Sequence, residues 1–179
     1  MIRPEYRKTL ESQHGVLVVL WVIFVVGIIL YLWISEFLLA GRKLSAGPAF
    51  SEPARIVLWL LAFFDLGALA WWKKRFLTKG AILVAGLKKT KLLQALQGHE
   101  SPLEEQAAGA ISFYVTAKIV AFAMVEAIAI YGFALALIGH DLWGQYPLSL
   151  ASGVLLLLEF PSRPFLEELL RDVEEERQK

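Results

Sequence analysis

The sequence predicts an all-α fold, an integral membrane four-helix bundle with a cytoplasmic interfacial helix and an amphipathic C-terminal helix, held in one membrane domain over residues 1–179. Three observations predict it. Apolar residues make up 57% of the 179 positions, more than an ordinary soluble domain carries. They fall into blocks of roughly 17 to 20 residues with few charges, the length that takes a helix through about 30 Å of hydrocarbon. The net charge of +1 hides 18 Lys plus Arg and 17 Asp plus Glu, crowded at the ends and in the middle segment. Such a balance argues against a nucleic-acid partner. With no cysteine, thiol catalysis and disulfides are excluded.

The first span, residues 16–35 (VLVVLWVIFVVGIILYLWIS), has no charge. It is too long for a typical signal-peptide core and lacks an A-x-A cleavage site, so it reads as a retained anchor. The second covers residues 56–72, the third 119–138 and the fourth 142–160, whose start is weakened by Gly144, Gln145 and Pro147. A soluble bundle would place polar residues every three or four positions on its wet face; the first span has none. Small residues in the fourth span (Ser149, Ala151, Ser152, Gly153) and in the third (Ala121, Ala123, Ala127, Ala129) permit close helix approach. The alanines around Glu126 alternate and so do not share one face, which implies crowding on several sides, as in an oligomer or a tight bundle.

Orientation follows from Lys and Arg, which are retained in cytoplasmic loops. The N-terminal arm, the central segment 73–118 and the tail 161–179 together carry fifteen, against three in the first loop and none in the turn at residues 139–141. Both termini and the central segment are therefore expected on the cytoplasmic side of a cell (inner) membrane. Trp33, Trp143 and Tyr146 then fall near the outer boundary and Trp71 and Trp72 near the inner one, where amphipathic rings anchor spans.

Within the central segment, Phe76 to Gln97 sets leucines among Lys79, Lys88, Lys89 and Lys91. This pattern suits a basic helix at the lipid surface or an ordinary helix packed on the bundle. After a break at Gly98 and His99, Ser101-Pro102-Leu103-Glu104 has the spacing of a capping box with proline at the first helical position. The third helix should thus start there and outrun the membrane. Beyond Pro161 and Pro164, Phe165, Leu166, Leu169, Leu170 and Val173 recur at helical spacing among acidic residues. Their stripe is expected to pack on the oppositely charged central segment or to bind a partner.

A carboxylate in hydrocarbon is costly unless protonated, paired or hydrated, which makes Asp65 and Glu126 the candidate ion-binding residues. Each lies seven residues from the inner end of its span, roughly 10 Å deep, so neighbouring helices would let them share a proton or an ion. The structural alternative is a protonated carboxyl bonded to a facing helix. Glu36, Glu159 and Lys118 sit at span ends, where interfacial residence is the expectation. His140 and Asp141 form a short turn, and the isolated histidines make no metal-ligand cluster. Nucleotide-binding, zinc-protease and serine-hydrolase motifs are missing from the sequence, so neither cofactor nor catalytic residue is expected.

The run Ala123-Met124-Val125-Glu126-Ala127-Ile128-Ala129-Ile130-Tyr131-Gly132 resembles the carboxylate-bearing helix of the proteolipid, or c, subunits of rotary ATPases. The resemblance covers about twenty residues of the 179, and it implies an ion-binding role for Glu126 in a ring. It departs from that family in the second span, whose one glycine is Gly67, and in the long segment joining the two helices.

The sequence accordingly points to a non-enzymatic membrane subunit or accessory protein whose central segment and tail bind lipid or a partner, either its own copies or a membrane complex. The alternative is proton or cation translocation through Glu126. A membrane enzyme acting on lipid would need a nucleophile and an acid–base set, and the sequence offers none.

Overall fold

Six helices make up the computed structural model, which describes residues 2–40, 48–86, 101–140 and 142–176, and the described residues contain no strand. They are α1 (Pro4–Ala40), α2 (Pro48–Phe76), α3 (Lys79–Gly86), α4 (Pro102–Gly139), α5 (Leu142–Leu158) and α6 (Arg163–Glu176). The expected all-helical class is therefore observed. Three helices, α1, α2 and α4, are long and apolar enough to cross a membrane. The fourth expected span, 142–160, is the 17-residue α5, roughly 25 Å long, at the short end of the range for a crossing. It stops at Leu158, ahead of the Pro161 and Pro164 pair that interrupts the chain.

Helix boundaries follow local chemistry. Pro4 and Pro102 begin α1 and α4, where a missing N–H costs nothing. Ser101 Oγ accepts the Glu104 N–H at 3.3 Å, the N-cap half of the expected box. The turn between α4 and α5 passes through His140 at φ 48°, the left-handed position that ends many helices. Pro147 sits inside α5 and cannot donate to the carbonyl four residues back.

The chain divides into two compact units. The first draws on the described residues of Met1–Leu20, Trp72–Val120 and Pro161–Lys179, the second on Trp21–Trp71 and Ala121–Phe160.

In the first unit the apolar stripe of α6, Leu166, Leu169, Leu170 and Val173, is buried. Phe165 packs on Tyr114 with ring centroids 5.2 Å apart and planes tilted by 34°. Lys79 on α3 reaches Glu168 at 2.5 Å and Asp172 at 3.5 Å on α6. The tail thus packs on the central segment, one of its two expected places. The hydrogen bond from Lys79 holds the Glu168 carboxyl below its usual pKa, and the bond to Glu168 holds the Lys79 ammonium above its own. Arg3 grips the buried Glu104 carboxylate through Nε at 2.9 Å and Nη2 at 3.0 Å, while the Ile2 N–H donates to Glu174 at 3.0 Å. Beside this pair, burial and then the Glu104 charge push the Tyr6 hydroxyl above its ordinary pKa. Trp72 Nε1 donates to Ala117 O at 3.1 Å. Helices α3 and α4 meet backbone to backbone: a Cβ on Gly86 would lie 2.9 Å from Gln106 O, and one on Gly109 2.9 Å from Gly86 O.

In the second unit, Ala62, Ile128, Leu135 and Leu148 form a core packed by Leu58, Trp59, Leu66, Tyr131 and Leu155. Helices α4 and α5 close on each other at Gly132, where a Cβ would stand 3.1 Å from Gln145 O and from Leu148 Cβ. Two side chains donate to main-chain carbonyls across helices, Ser152 Oγ to Val125 O and Trp21 Nε1 to Leu156 O, each at 2.7 Å. The outward side chains are apolar and large. Phe37, Phe63, Phe64, Leu150 and Leu158 are each more than half exposed, and only 11% of the hydrophobic windows of α1 and of α2 is buried.

Candidate functional site

Both intramembrane carboxylates of the sequence reading lie in the second unit, and each is met by a tyrosine. Tyr31 of α1 donates its hydroxyl to Glu126 Oε1 of α4 at 2.9 Å. Tyr131 of α4 donates to Asp65 Oδ2 of α2 at 2.8 Å. Glu126 and Tyr131 are five residues apart on one helix, which turns their side chains roughly 140° from each other. Helix α4 therefore addresses α1 with a carboxylate and α2 with a hydroxyl, and the two acids engage different partners.

Gly27 makes room for the first pair. A Cβ built there would stand 2.8 Å from Glu126 Oε1, so the carboxylate rests in a notch that any side chain would fill. Tyr31, one turn on, is held by stacking on Phe133, with centroids 5.3 Å apart. The Tyr31 carbonyl accepts from Ser35 Oγ at 2.8 Å and from Gln145 Nε2 at 3.2 Å. Ser35 and Gln145 are fully buried, and Gln145 Oε1 has no partner. At the far end of α1, Tyr146 donates to Glu36.

Chemically the arrangement offers two hydrogen-bonded carboxyls and a short polar file on α1, α4 and α5. No group of three His, Cys, Asp or Glu that could hold a metal occurs among the described residues. Glu159, expected at an interface, is buried at 3% exposure. Of the four lysines expected at a membrane surface, Lys79 is committed to α6; Lys88, Lys89 and Lys91 lie outside the described residues.

The sequence reading missed Tyr31, Tyr131, Gly27 and Gln145. A signal was available for the tyrosines, because a hydroxyl in mid-span needs a partner and carboxylates stood in the facing spans. Gln145 was read only as weakening its span.

An open apolar groove of about 860 Å³ runs between α1 and α5, lined by Val25, Ile28 and Leu32 on one side and by Tyr146, Ser149, Leu150 and Gly153 on the other. Ser149 is 2% exposed, and its hydroxyl has no partner. No known protein family, curated protein or solved structure matches this chain.

Proposed function

We propose that the chain is a multi-pass protein of the cell (inner) membrane, with both termini cytoplasmic, acting as a non-enzymatic membrane subunit or accessory protein. One observation carries this reading: α1 and α2 turn apolar side chains outward along spans of which only 11% is buried, a surface that water penalises and lipid or a partner helix accepts. Tyrosine bonding of Asp65 and Glu126 supports an architectural role for both acids, since polar side chains fasten helices where no water competes. The apolar stripe of α6 is used within the chain, which leaves the open faces of α1, α2 and α5 for partners.

A second reading, proton or cation binding at Glu126, is favoured by the notch at Gly27 and by the unpartnered Gln145 Oε1 on the same polar file. Dicyclohexylcarbodiimide, which attacks protonated carboxyls in apolar surroundings, separates the two. For a subunit, labelling read by mass spectrometry is expected to be insensitive to Na⁺, and Glu126→Gln and Asp65→Asn to leave the cellular phenotype intact. Labelling at Glu126 that falls through a neutral pH range and is blocked by Na⁺ would transfer the assignment to ion binding. Membrane location and sidedness are tested by single-cysteine accessibility in a chain that has no native cysteine.

A further inference from the structure

Within the second unit, helix α4 is covered on three sides and bare on the fourth. It meets α5 at Gly132 and Val125, α1 at Phe122 and Glu126, and α2 at Tyr131. At roughly 100° per residue, these contacts leave a strip of α4 open between α1 and α2, on the side away from α5. Ala123, Ile130 and Leu137 are exposed along it, with Ala127 and Ala134 half-buried between them.

The strip differs from the other open faces in having a carboxyl at each edge. On the α1 edge Glu126 rests against Gly27, and on the α2 edge Tyr131 reaches Asp65. Each tyrosine takes one carboxyl oxygen. The other oxygens, Glu126 Oε2 and Asp65 Oδ1, have no partner among the described residues and are not sealed in, since both residues are only half-buried. An unpaired carboxylate facing hydrocarbon is costly, and protonation merely turns the free oxygen into a donor without an acceptor. A cation brought to the strip removes both penalties.

A second copy of the chain does not bring one. Residues 16–35, 56–72, 119–138 and 142–160 contain no Lys or Arg. The outward side chains at mid-span, among them Val26, Phe64, Leu150 and Val154, carry no donor either.

We propose that this strip is the docking site for a transmembrane helix of a different protein, one that carries a lysine or arginine at mid-depth. The alanines let its backbone approach closely. Glu126 and Tyr131 are separated by about 7.5 Å along the α4 axis, so one long basic side chain placed between them reaches a carboxyl on either edge. One cation neutralises one carboxylate, and the other acid stays protonated; either acid alone therefore suffices, and each single amide variant keeps the partner. The proposal rests on the membrane-subunit reading above and supplies the chemistry of its partner.

The test uses the full chain in phosphatidylcholine vesicles. The probe is a synthetic leucine–alanine helix of about 23 residues with one central lysine and a photoreactive diazirine beside it; the control helix has leucine in place of the lysine. Crosslinking to residues 123–137, read by mass spectrometry, is expected to be about 5- to 30-fold greater for the lysine helix, the range that polar contacts give model membrane helices. The preference should persist in Glu126→Gln and in Asp65→Asn and vanish in the double variant. Both amides keep an oxygen for the tyrosine, so the helix contacts survive. Ala127→Phe, which fills the strip and leaves both carboxyls in place, should block the lysine helix. Equal crosslinking by the two helices, or a lysine preference that survives the double variant, would overturn the docking. So would a disulfide between copies carrying Ile130→Cys, which would give the strip to a second copy. These outcomes leave the membrane reading standing, whereas absence of the chain from carbonate-washed membranes would overturn both.

Discussion

Gly27→Ala tests whether the Tyr31–Glu126 bond is a discrete fastening between α1 and α4. The new methyl would lie 2.8 Å from Glu126 Oε1 and 3.9 Å from the Tyr31 hydroxyl. Helix α1 holds its backbone fixed, so the carboxylate must turn away and the 2.9 Å bond breaks. That loss is about 0.6 kcal/mol on average and about 1.7 kcal/mol at most for interhelical bonds in membranes. Replacing glycine within a helix returns about 1 kcal/mol. The single variant should therefore change stability by less than about 1 kcal/mol in either direction. Tyr31→Phe removes the same bond with no compensating gain. Once it is gone the methyl has nothing left to break, and adding Gly27→Ala to Tyr31→Phe should raise stability by about 1 kcal/mol. The double variant then exceeds the additive expectation by the energy of the bond, about 0.6 to 1.7 kcal/mol. Reversible unfolding of the four proteins in mixed micelles measures this cycle. Strict additivity would refute the geometry, because it would mean that the methyl and the hydroxyl do not compete for one carboxylate.

Other perturbations are expected to have equally definite outcomes. Arg3→Ala strips the fork from Glu104, which is 1% exposed while the Arg3 side chain is 40% exposed; a cost of about 2 kcal/mol is expected in thermal unfolding, below that of a wholly buried pair because water reaches Arg3. Arg7→Ala, which removes a surface pair with Glu11 one turn away, should cost about 0.4 kcal/mol. Gly109→Ala drives a Cβ to 2.9 Å from Gly86 O, backbone that cannot move aside, and should destabilise by about 1 to 3 kcal/mol; Gly15→Ala, with nothing within 4 Å, should instead stabilise or be neutral. The Glu168 contribution to holding α6 is present above the free carboxyl value of 4.5 and is lost as pH falls through its lowered pKa. That of Lys79 is present below 10.5 and is lost as pH rises through its raised one. Protection of the α6 amides relative to their intrinsic exchange rates should accordingly be greatest between those limits, and equal protection at pH 3 and pH 7 would contradict the pairing.

What the sequence revealed tracks how each signal is encoded. The spans of α1, α2 and α4 were legible because hydrocarbon length imposes an unbroken apolar run, and Ser101 was legible as a cap because the motif is local. The start of α1 at Pro4 was not, because Arg7, Lys8 and Glu11 end the hydrophobic block without ending the helix. At the fourth span apolar residues continue to Phe160, but the helix stops at Leu158 as the prolines approach. Depth arithmetic set Asp65 and Glu126 at one level and let them share a proton if their helices were neighbours, whereas each is half-buried and bonded to a tyrosine instead. Their actual partners depend on rotation about each helix axis, and a single sequence leaves that angle open. The five-residue offset between Glu126 and Tyr131 contained the answer only once α1 and α2 were known to lie on different sides of α4.

Four of the joints between helices are one-sided. Trp21, Trp72, Gln145 and Ser152 each donate to a main-chain oxygen, and every residue at the receiving position has that oxygen. Substitution at Leu156, Ala117, Tyr31 or Val125 leaves the acceptor in place, whereas substitution of the donor removes the joint. Divergent copies of this protein should hold the donors nearly fixed while the residues opposite drift, with little correlated change across these contacts. Contact inference from paired substitutions would then be weak at these joints, and a per-position tolerance scan would locate them more readily.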